Sequence, residues 1–442
     1  MGWRRRTQIK SRPSSLDPSV GGKQYETARI FNMYSFTYKF PVSVGPKFLR
    51  LYFYPATYSD LNANQSFFSV TSNGYSLLTN FSATITASFL SQSSGWKYAS
   101  FVKEFIIYVE NSQILNLTFT PLPNSFAFIN GIEIVSMPDN LYFKAKNFKY
   151  VGTTSGPVID NYTALENIYR LNVGGSQISD NADTGMYRSW DDGDEYYLFP
   201  SSALGFTPFT ETPITYTTET PNYTAPQIVY QTQRSKGNIS ADYTMTWRLP
   251  VDSGFWYMLR LHFCSIIPQY TFKRQVVFKI FINNQTAEEK ADLFNWTPGS
   301  GHTVFKDHVV FVNDPDGQRS KQDLWLAMDP NEESLEYRDF FLNGLEMFKM
   351  NSTAGNLAAP NPEVTYTTPP LPVPPGKNTK TPPYAAIIGG GVGGLILLSA
   401  LGFIVLRRTR VSEKSSGEPR SKNSCLPSGR HAGLDSETML PR

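Results

Sequence analysis

Apolar and polar residues alternate with a period of two along most of the chain. Leu49, Leu51 and Phe53 follow this pattern, as do Leu259, Leu261 and Phe263, and Val276, Phe278, Ile280 and Ile282. A period of two puts one set of side chains on one face of a pleated strand, so these runs predict β-strands. Turn signals punctuate them at Asn73-Gly74, Asn130-Gly131, Asn343-Gly344 and Asp314-Pro-Asp-Gly317. Long amphipathic helical stretches are scarce. The body of the chain reads as all-β.

The strands recur as a set. Tyr25-Glu-Thr-Ala-Arg29 matches Tyr230-Gln-Thr-Gln-Arg234, and Phe40-Pro-Val-Ser-Val-Gly45 is echoed by Leu249-Pro-Val-Asp-Ser-Gly254. Leu49-Arg-Leu-Tyr-Phe53 matches Leu259-Arg-Leu-His-Phe263, and Phe128-Ile-Asn-Gly-Ile-Glu133 matches Phe341-Leu-Asn-Gly-Leu-Glu346. Four matches in order, at offsets drifting from 205 to 213, define two copies of one domain. A two-sheet β-sandwich per copy is the natural architecture. In copy two, about 60 residues precede the Tyr230 motif; copy one has 24 before Tyr25, and they resemble nothing in copy two. Copy one is therefore expected to lack its first strands and to carry an unpaired sheet edge. The natural chain is expected to start further upstream.

One segment breaks the strand pattern. Residues 384–406 carry no charge, and Ala385–Leu406 supplies 22 residues, long enough for a helix across a bilayer core. Arg407, Arg408 and Arg410 follow and place the C-terminal side in the cytoplasm. Gly389/Gly393 and Gly390/Gly394 form small-xxx-small pairs, which favour close helix approach and point to a receptor oligomer. The expected layout is an N-terminal segment outside the repeat (1–23), a truncated domain A (24–138), a linker (139–160) and domain B (161–351). A proline-rich stalk (352–383), the transmembrane helix (384–406) and a short tail (407–442) complete it. The stalk has nine prolines between Pro360 and Pro383.

Charge follows this layout. The chain's net +3 is the sum of +5 over residues 1–23, −6 over 24–383 and +4 over 407–442. The folded body is mildly acidic, which excludes a basic nucleic-acid footprint. Nine N-x-S/T sequons lie at Asn64, Asn80, Asn116, Asn161, Asn222, Asn238, Asn284, Asn295 and Asn351, all before the uncharged segment. That one-sided placement fits a glycosylated ectodomain of a single-pass plasma-membrane protein.

Catalytic and metal-binding patterns are not found. The four histidines have no zinc-ligand spacing, and Cys264 has no evident catalytic partner. Asp191, Asp192, Asp194 and Glu195 lack calcium-loop spacing. No cofactor is expected, and binding is the better reading. Tyr187, Arg188, Trp190, Asp191 and Asp192 combine aromatic faces with hydroxyl-accepting carboxylates, as a carbohydrate or peptide site would; Tyr196 and Tyr197 add to this composition. An acidic ectodomain also favours a basic peptide ligand.

The runs Tyr169-Arg-Leu-Asn-Val-Gly-Gly175, Asp183-Thr-Gly-Met-Tyr-Arg-Ser-Trp-Asp-Asp192 and Tyr230-Gln-Thr-Gln-Arg234 resemble the malectin-like ectodomains of plant receptor kinases of the FERONIA/THESEUS type. Leu259–Cys264 and Leu342–Lys349 belong to the same pattern. The resemblance implies tandem malectin-like sandwiches and a cell-wall-sensing receptor. It implies perception of a secreted basic peptide of the RALF type with a GPI-anchored co-receptor. Binding of cell-wall polysaccharide such as pectin is an alternative. The tail carries no glycine-rich ATP loop, H-R-D or D-F-G, so the chain itself is not expected to be an enzyme, and a kinase-less decoy is a further alternative.

Overall fold

The structure is a computed structural model and describes residues 8–94, 97–143, 148–199, 212–237 and 244–363. The expected transmembrane helix, the tail and most of the stalk lie outside the described residues. Among those residues no helix is long and apolar enough to cross a membrane.

Each copy is a two-layer β-sandwich, as the alternation predicts. The outer sheet of copy one holds four strands: Phe36–Pro41, Ile114–Pro121, Phe68–Ser72 and Tyr75–Phe81. The outer sheet of copy two holds five: Leu198–Phe199, Met245–Asp252, Lys321–Pro330, Phe278–Ile282 and Gln285–Ala291. The inner layer differs from the expectation of separate sheets. One eight-stranded sheet runs through both copies. Its order is Gly131–Ser136, Gly45–Phe53, Phe101–Val109, Leu165–Asn172, Gly344–Met350, Phe255–Phe263, Val304–Val312 and Phe148–Tyr150. The junction between copies is short: Leu165 faces Ile106 and Glu166 faces Phe105.

Burial explains the two kinds of strand. Phe36–Pro41 alternates half-buried and exposed residues, because one face meets solvent. Gly45–Phe53 is buried at all but one position, because both faces of the shared sheet are covered. Its first face carries Leu49, Leu51 and Phe53 into the copy-one core, where Phe53 packs against Phe68, Phe81 and Phe128. Leu259, Leu261 and Phe263 do the same in copy two, against Phe278, Phe341 and Trp296.

The second face is covered by the segment between the copies. Leu141, Tyr142, Phe143 and Ile159 are buried there with Phe48, Ile106, Leu165, Met258 and Phe348. Phe148–Tyr150 joins the sheet edge, parallel to Val304–Val312. Residues 139–160 thus carry core side chains as well as connecting the copies. Among the described residues helix is confined to Ala83–Ser94 and short turns.

The two Asn-Gly motifs that recur between the copies, Asn130-Gly131 and Asn343-Gly344, do the same local work. Asn130 Oδ1 accepts from the Tyr54 amide at 2.8 Å, and its Nδ2 donates to the Thr27 carbonyl at 3.1 Å. Asn343 Oδ1 accepts from the Cys264 amide at 2.8 Å, and its Nδ2 donates to the Thr232 carbonyl at 2.8 Å. Each asparagine ties the end of its copy's Leu-Arg-Leu strand to the Tyr-x-Thr-x-Arg motif of the same copy.

Candidate ligand-binding face and the charge ladder beneath it

The polar residues of the repeated motifs point to the second face of the shared sheet. There they form a cross-strand ladder of alternating sign: Glu133, Arg50, Glu104, Arg170, Glu346, Arg260 and Asp307. Arg50 donates to Glu133 at 2.7 Å and to Glu104 at 2.6 Å. Arg170 donates to Glu104 at 2.8 Å and to Glu346 at 2.8 Å. Arg260 stands opposite Glu346 and grips Asp307 through two bonds of 2.7 and 2.8 Å. The Glu104–Arg170 step crosses from copy one to copy two.

Six of these seven charges are buried, Glu133 at the end being half-buried, and burying them costs free energy unless each has partners. Desolvation would raise the Glu104 carboxyl, but Arg170 and Arg50 outweigh it and hold it below the ordinary range. Glu346 is likewise driven down against its burial, by Arg170 and by the His262 hydrogen bond. His262 is itself pushed down by burial and accepts or donates to Tyr230 Oη at 2.9 Å. Burial pushes the free Cys264 thiol up to about 12, so it is held as a neutral thiol. Among the described residues no group of three or more His, Cys, Asp or Glu could hold a metal ion.

The loop carrying the five candidate residues lies over this ladder. Arg50 donates to the Met186 carbonyl at 2.8 Å, which fixes the copy-two loop to copy one. The structure brings the five close together but divides them by direction. Arg188 is fully buried, paired with Asp183 at 2.9 and 3.0 Å and bonded to Tyr142 Oη and the carbonyls of Tyr223 and Thr224. Trp190 is fully buried and packs edge-on against His262. Both side chains therefore point inward, away from any ligand. Tyr187 is 48% exposed, at φ 56°, a left-handed conformation uncommon for a bulky residue. Asp191 and Asp192 are exposed beside it. Asp191 keeps an exposed outer side, while loss of water on its inner side pushes its carboxyl up to about 6. Tyr196 is exposed and Tyr197 packs on Tyr169. The outward set is thus Tyr187, Asp191, Asp192 and Tyr196.

Composition hid two further features. A groove of about 570 Å³ on copy two is lined by Trp256, Phe311, Trp325, Asn283, Gln322 and Asp323, with Asn284 at its rim. Its residues are scattered over four strands, so no local run announces them. A second cluster lies in the cleft between the sandwiches, on the first face: Lys349 bonds Glu166 at 2.6 Å and Asp252 at 3.0 Å, with Lys103 and Lys321 alongside. Of the sequon asparagines, Asn64, Asn80, Asn161, Asn222, Asn284 and Asn295 are exposed. Asn116 and Asn351 are half-buried, and Asn238 lies outside the described residues.

Residues 6–350 match the Malectin-like domain family. With the tandem sandwiches and the repeated motifs, this defines the class: the chain belongs to the malectin-like receptor kinase family, within its ectodomain region. It is 46% identical over 420 residues to the receptor-like protein kinase FERONIA of Arabidopsis thaliana, covering 92% of this chain and 45% of that protein. It is 37% identical over 455 residues to the receptor-like protein kinase ANXUR2 of the same organism, covering 96% of this chain and 50% of that protein. The chain therefore spans about half the length of the curated relatives it matches. The crystal structure of the plant receptor-like kinase FER aligns with a TM-score of 0.72 at 48% identity, covering 80% of this chain and 90% of that one. A crystal structure of the plant peptide RALF23 in complex with FER and LLG2 aligns with a TM-score of 0.71 at 48% identity, covering 80% and 91%.

Proposed function

We propose that this chain is the extracellular ligand-perceiving part of a cell-wall-sensing receptor, binding a secreted basic peptide together with a GPI-anchored co-receptor. The observation that carries the reading is its 48% identity to the FER chain crystallised with the peptide RALF23 and LLG2. The net charge of −6 over residues 24–383 supports it, since long-range attraction speeds encounter with a cationic partner. Tyr187, Asp191 and Asp192 are the residues of the loop assigned to ligand contact. The body stands outside the cell as a glycoprotein, with sugars on the exposed sequons. It is held by the uncharged segment 384–406 in the plasma membrane as a single-pass type I protein. A kinase acting on the cytoplasmic side would carry the signal onward.

The groove around Trp256, Phe311 and Trp325 favours a second reading, a cell-wall polysaccharide module. Flat aromatic faces beside Asn, Gln and Asp side chains are the chemistry by which proteins stack and hydrogen-bond sugars. One experiment separates the two. Full chain in detergent is titrated with a synthetic basic peptide plus co-receptor, and separately with pectic oligosaccharide, at 50 and 300 mM salt. Peptide binding that weakens with salt, without oligosaccharide binding, supports the first reading; oligosaccharide binding lost in Trp256→Ala, without peptide binding, replaces it by the second.

A further inference from the structure

A hairpin tip stands at the rim of the aromatic groove on copy two. The strands Phe278–Ile282 and Gln285–Ala291 are joined by the two-residue loop Asn283-Asn284, with Ile282 opposite Gln285. Both loop residues are left-handed, at φ 49° and 59°, as a tight hairpin requires. The two asparagines are used differently. The Asn283 amide donates to the Trp325 carbonyl at 2.8 Å, and its Oδ1 accepts from the Trp325 amide at 2.9 Å. Asn284 is exposed and lines the groove, and its side-chain amide bonds no described residue. It opens the sequon Asn284-Gln-Thr286, in which Thr286 is exposed too. The tip abuts the opposite groove wall, where a Cβ added at Gly152 would come within 3.2 Å of Gln285 Cγ.

The groove has the build of a sugar bed. Trp256 and Phe311 hold their ring centroids 5.2 Å apart, and Phe311 is 39% exposed. Trp325, Gln322 and Asp323 complete the aromatic and hydrogen-bonding lining. Its volume of about 570 Å³ lies within the range of ligand sites.

Copy one lacks both halves of this arrangement. Its hairpin has the loop Asn73-Gly74, and Asn73 Oδ1 accepts from the Asn116 amide at 2.9 Å, as Asn283 does from Trp325. Matching the strand registers sets Gly74 against Asn284, Asn116 against Trp325, Pro46 against Trp256 and Tyr108 against Phe311. The tip sequon and both tryptophans are thus present together in copy two and absent together from copy one. Asn116 opens a sequon of its own, but it is half-buried against Asn73.

We propose that the groove holds this chain's own glycan: Asn284 is glycosylated, and the first sugars of that glycan pack on Trp256, Phe311 and Trp325. A sugar tethered at the rim meets the groove at an effective concentration of about millimolar or above, so contacts too weak to hold a free oligosaccharide keep it filled. The glycan covers exposed aromatic surface and closes the groove to free polysaccharide. The inference rests on the reading of the body as an extracellular glycoprotein, and it sets an occupant from within the chain against the polysaccharide-module reading.

Full chain is produced in plant cells treated with kifunensine, so that its glycans stay high-mannose, and is purified in detergent. Glycopeptide mass spectrometry reads occupancy at each sequon, and endoglycosidase H, which cuts within the glycan core, reads access. In the native chain the Asn284 core should be cut at least about tenfold more slowly than those at the other exposed sequons, and at their rate after denaturation. Trp256→Ala should bring the native Asn284 rate up to theirs. Thr286→Ala deletes the glycan at an exposed position and leaves every groove aromatic in place. In that variant hydroxyl-radical oxidation of Trp256 and Phe311 should rise at least about threefold, with buried Trp247 unchanged. A bare Asn284 beside glycosylated neighbours overturns this inference alone, whereas no glycan at any sequon overturns the extracellular reading with it. A glycan at Asn284 that is cut as fast as the others, protection that survives Trp256→Ala, or oxidation unchanged in Thr286→Ala each overturns the proposal, since the sugar then points to solvent.

Discussion

Replacing Glu104 by Leu removes the one anion that both Arg50 and Arg170 share. Glu104 Oε2 sits 2.6 Å from Arg50 and Oε1 sits 2.8 Å from Arg170, and all three side chains are at most 9% exposed. Removing one member of a buried pair typically costs about 3–5 kcal/mol, because the remaining charge has lost its compensation. Arg50 keeps Glu133 and Arg170 keeps Glu346, so the lower part of that range, about 3 kcal/mol, is expected. Domain stabilities are commonly about 5–15 kcal/mol, so the loss is a large fraction of the whole.

Urea unfolding of the full chain followed by tryptophan fluorescence checks this and also tests the coupling of the copies. With Trp3 and Trp96 replaced by Phe, the five remaining tryptophans, Trp190, Trp247, Trp256, Trp296 and Trp325, all lie in copy two, whereas Glu104 lies in copy one. If the shared sheet makes one cooperative unit, a copy-one substitution shifts the copy-two fluorescence transition by the same amount as the circular dichroism transition. Adding Arg170→Met to Glu104→Leu should cost about 1–3 kcal/mol less than the two single changes summed. A fluorescence transition that stays in place, or a single-substitution cost below about 1 kcal/mol, would refute the argument that the ladder joins the copies.

Other outcomes follow from the same geometry. Glu104, Glu166, Asp183, Asp252 and Glu346 are all held below their ordinary values. Their stabilisation is complete above the unfolded carboxyl range near 4.5 and is lost as pH falls toward the folded values, so the urea midpoint should drop steeply between about pH 5 and 3. Trp190→Ala opens a cavity under the loop and should cost about 3–5 kcal/mol by thermal or urea unfolding, whereas Tyr187→Ala should leave stability within about 1 kcal/mol and weaken peptide binding. If Asp191 contacts a cationic peptide, affinity should fall as pH drops through about 6, where that carboxyl takes up its proton, and Asp191→Asn should flatten the profile. Alkylation of Cys264 in the native chain should be negligible within an hour at pH 8 and complete in urea, read by mass spectrometry.

The repeat was legible because its motifs do structural work. Leu-Arg-Leu supplies core leucines on one face and a ladder arginine on the other, and Asn-Gly-x-Glu supplies a cap and the matching carboxylate. The alternation put Leu49, Leu51 and Phe53 on one face and left the surroundings of the other face open. Arg50, Arg260 and His262 are buried, because the segment after Ser136 lays Leu141, Tyr142 and Phe143 over them. Periodicity within a strand reports which residues share a face, and says nothing of what a distant segment places on that face. The Tyr187–Asp192 run looked exposed for the same reason. The signal that could have separated Arg188 from Tyr187 was Asp183, five residues earlier, which closes a charge-paired turn and leaves that guanidinium no ligand to seek. The shared sheet had no local signal, since its junction rests on two residue pairs with no repeat equivalent.

That junction is too short to hold two sandwiches together by backbone bonds alone. Two residue pairs contribute a few hydrogen bonds, each worth about 1 kcal/mol net. What stiffens it is the side chains on both faces. On one face Lys103 reaches Glu166 at 2.6 Å, and Glu166 also takes Lys349 at 2.6 Å, so the cleft side is cross-linked. On the other, Glu104–Arg170 and Arg50–Met186 cross the boundary, over Phe48, Ile106, Leu165 and Phe348. A hinge at this point would have to break ion pairs on one face or strip an apolar cluster on the other. The contacts at the boundary therefore favour one stiff unit over two jointed domains, and Arg50 is the side chain that links the loop over copy two to the sheet of copy one.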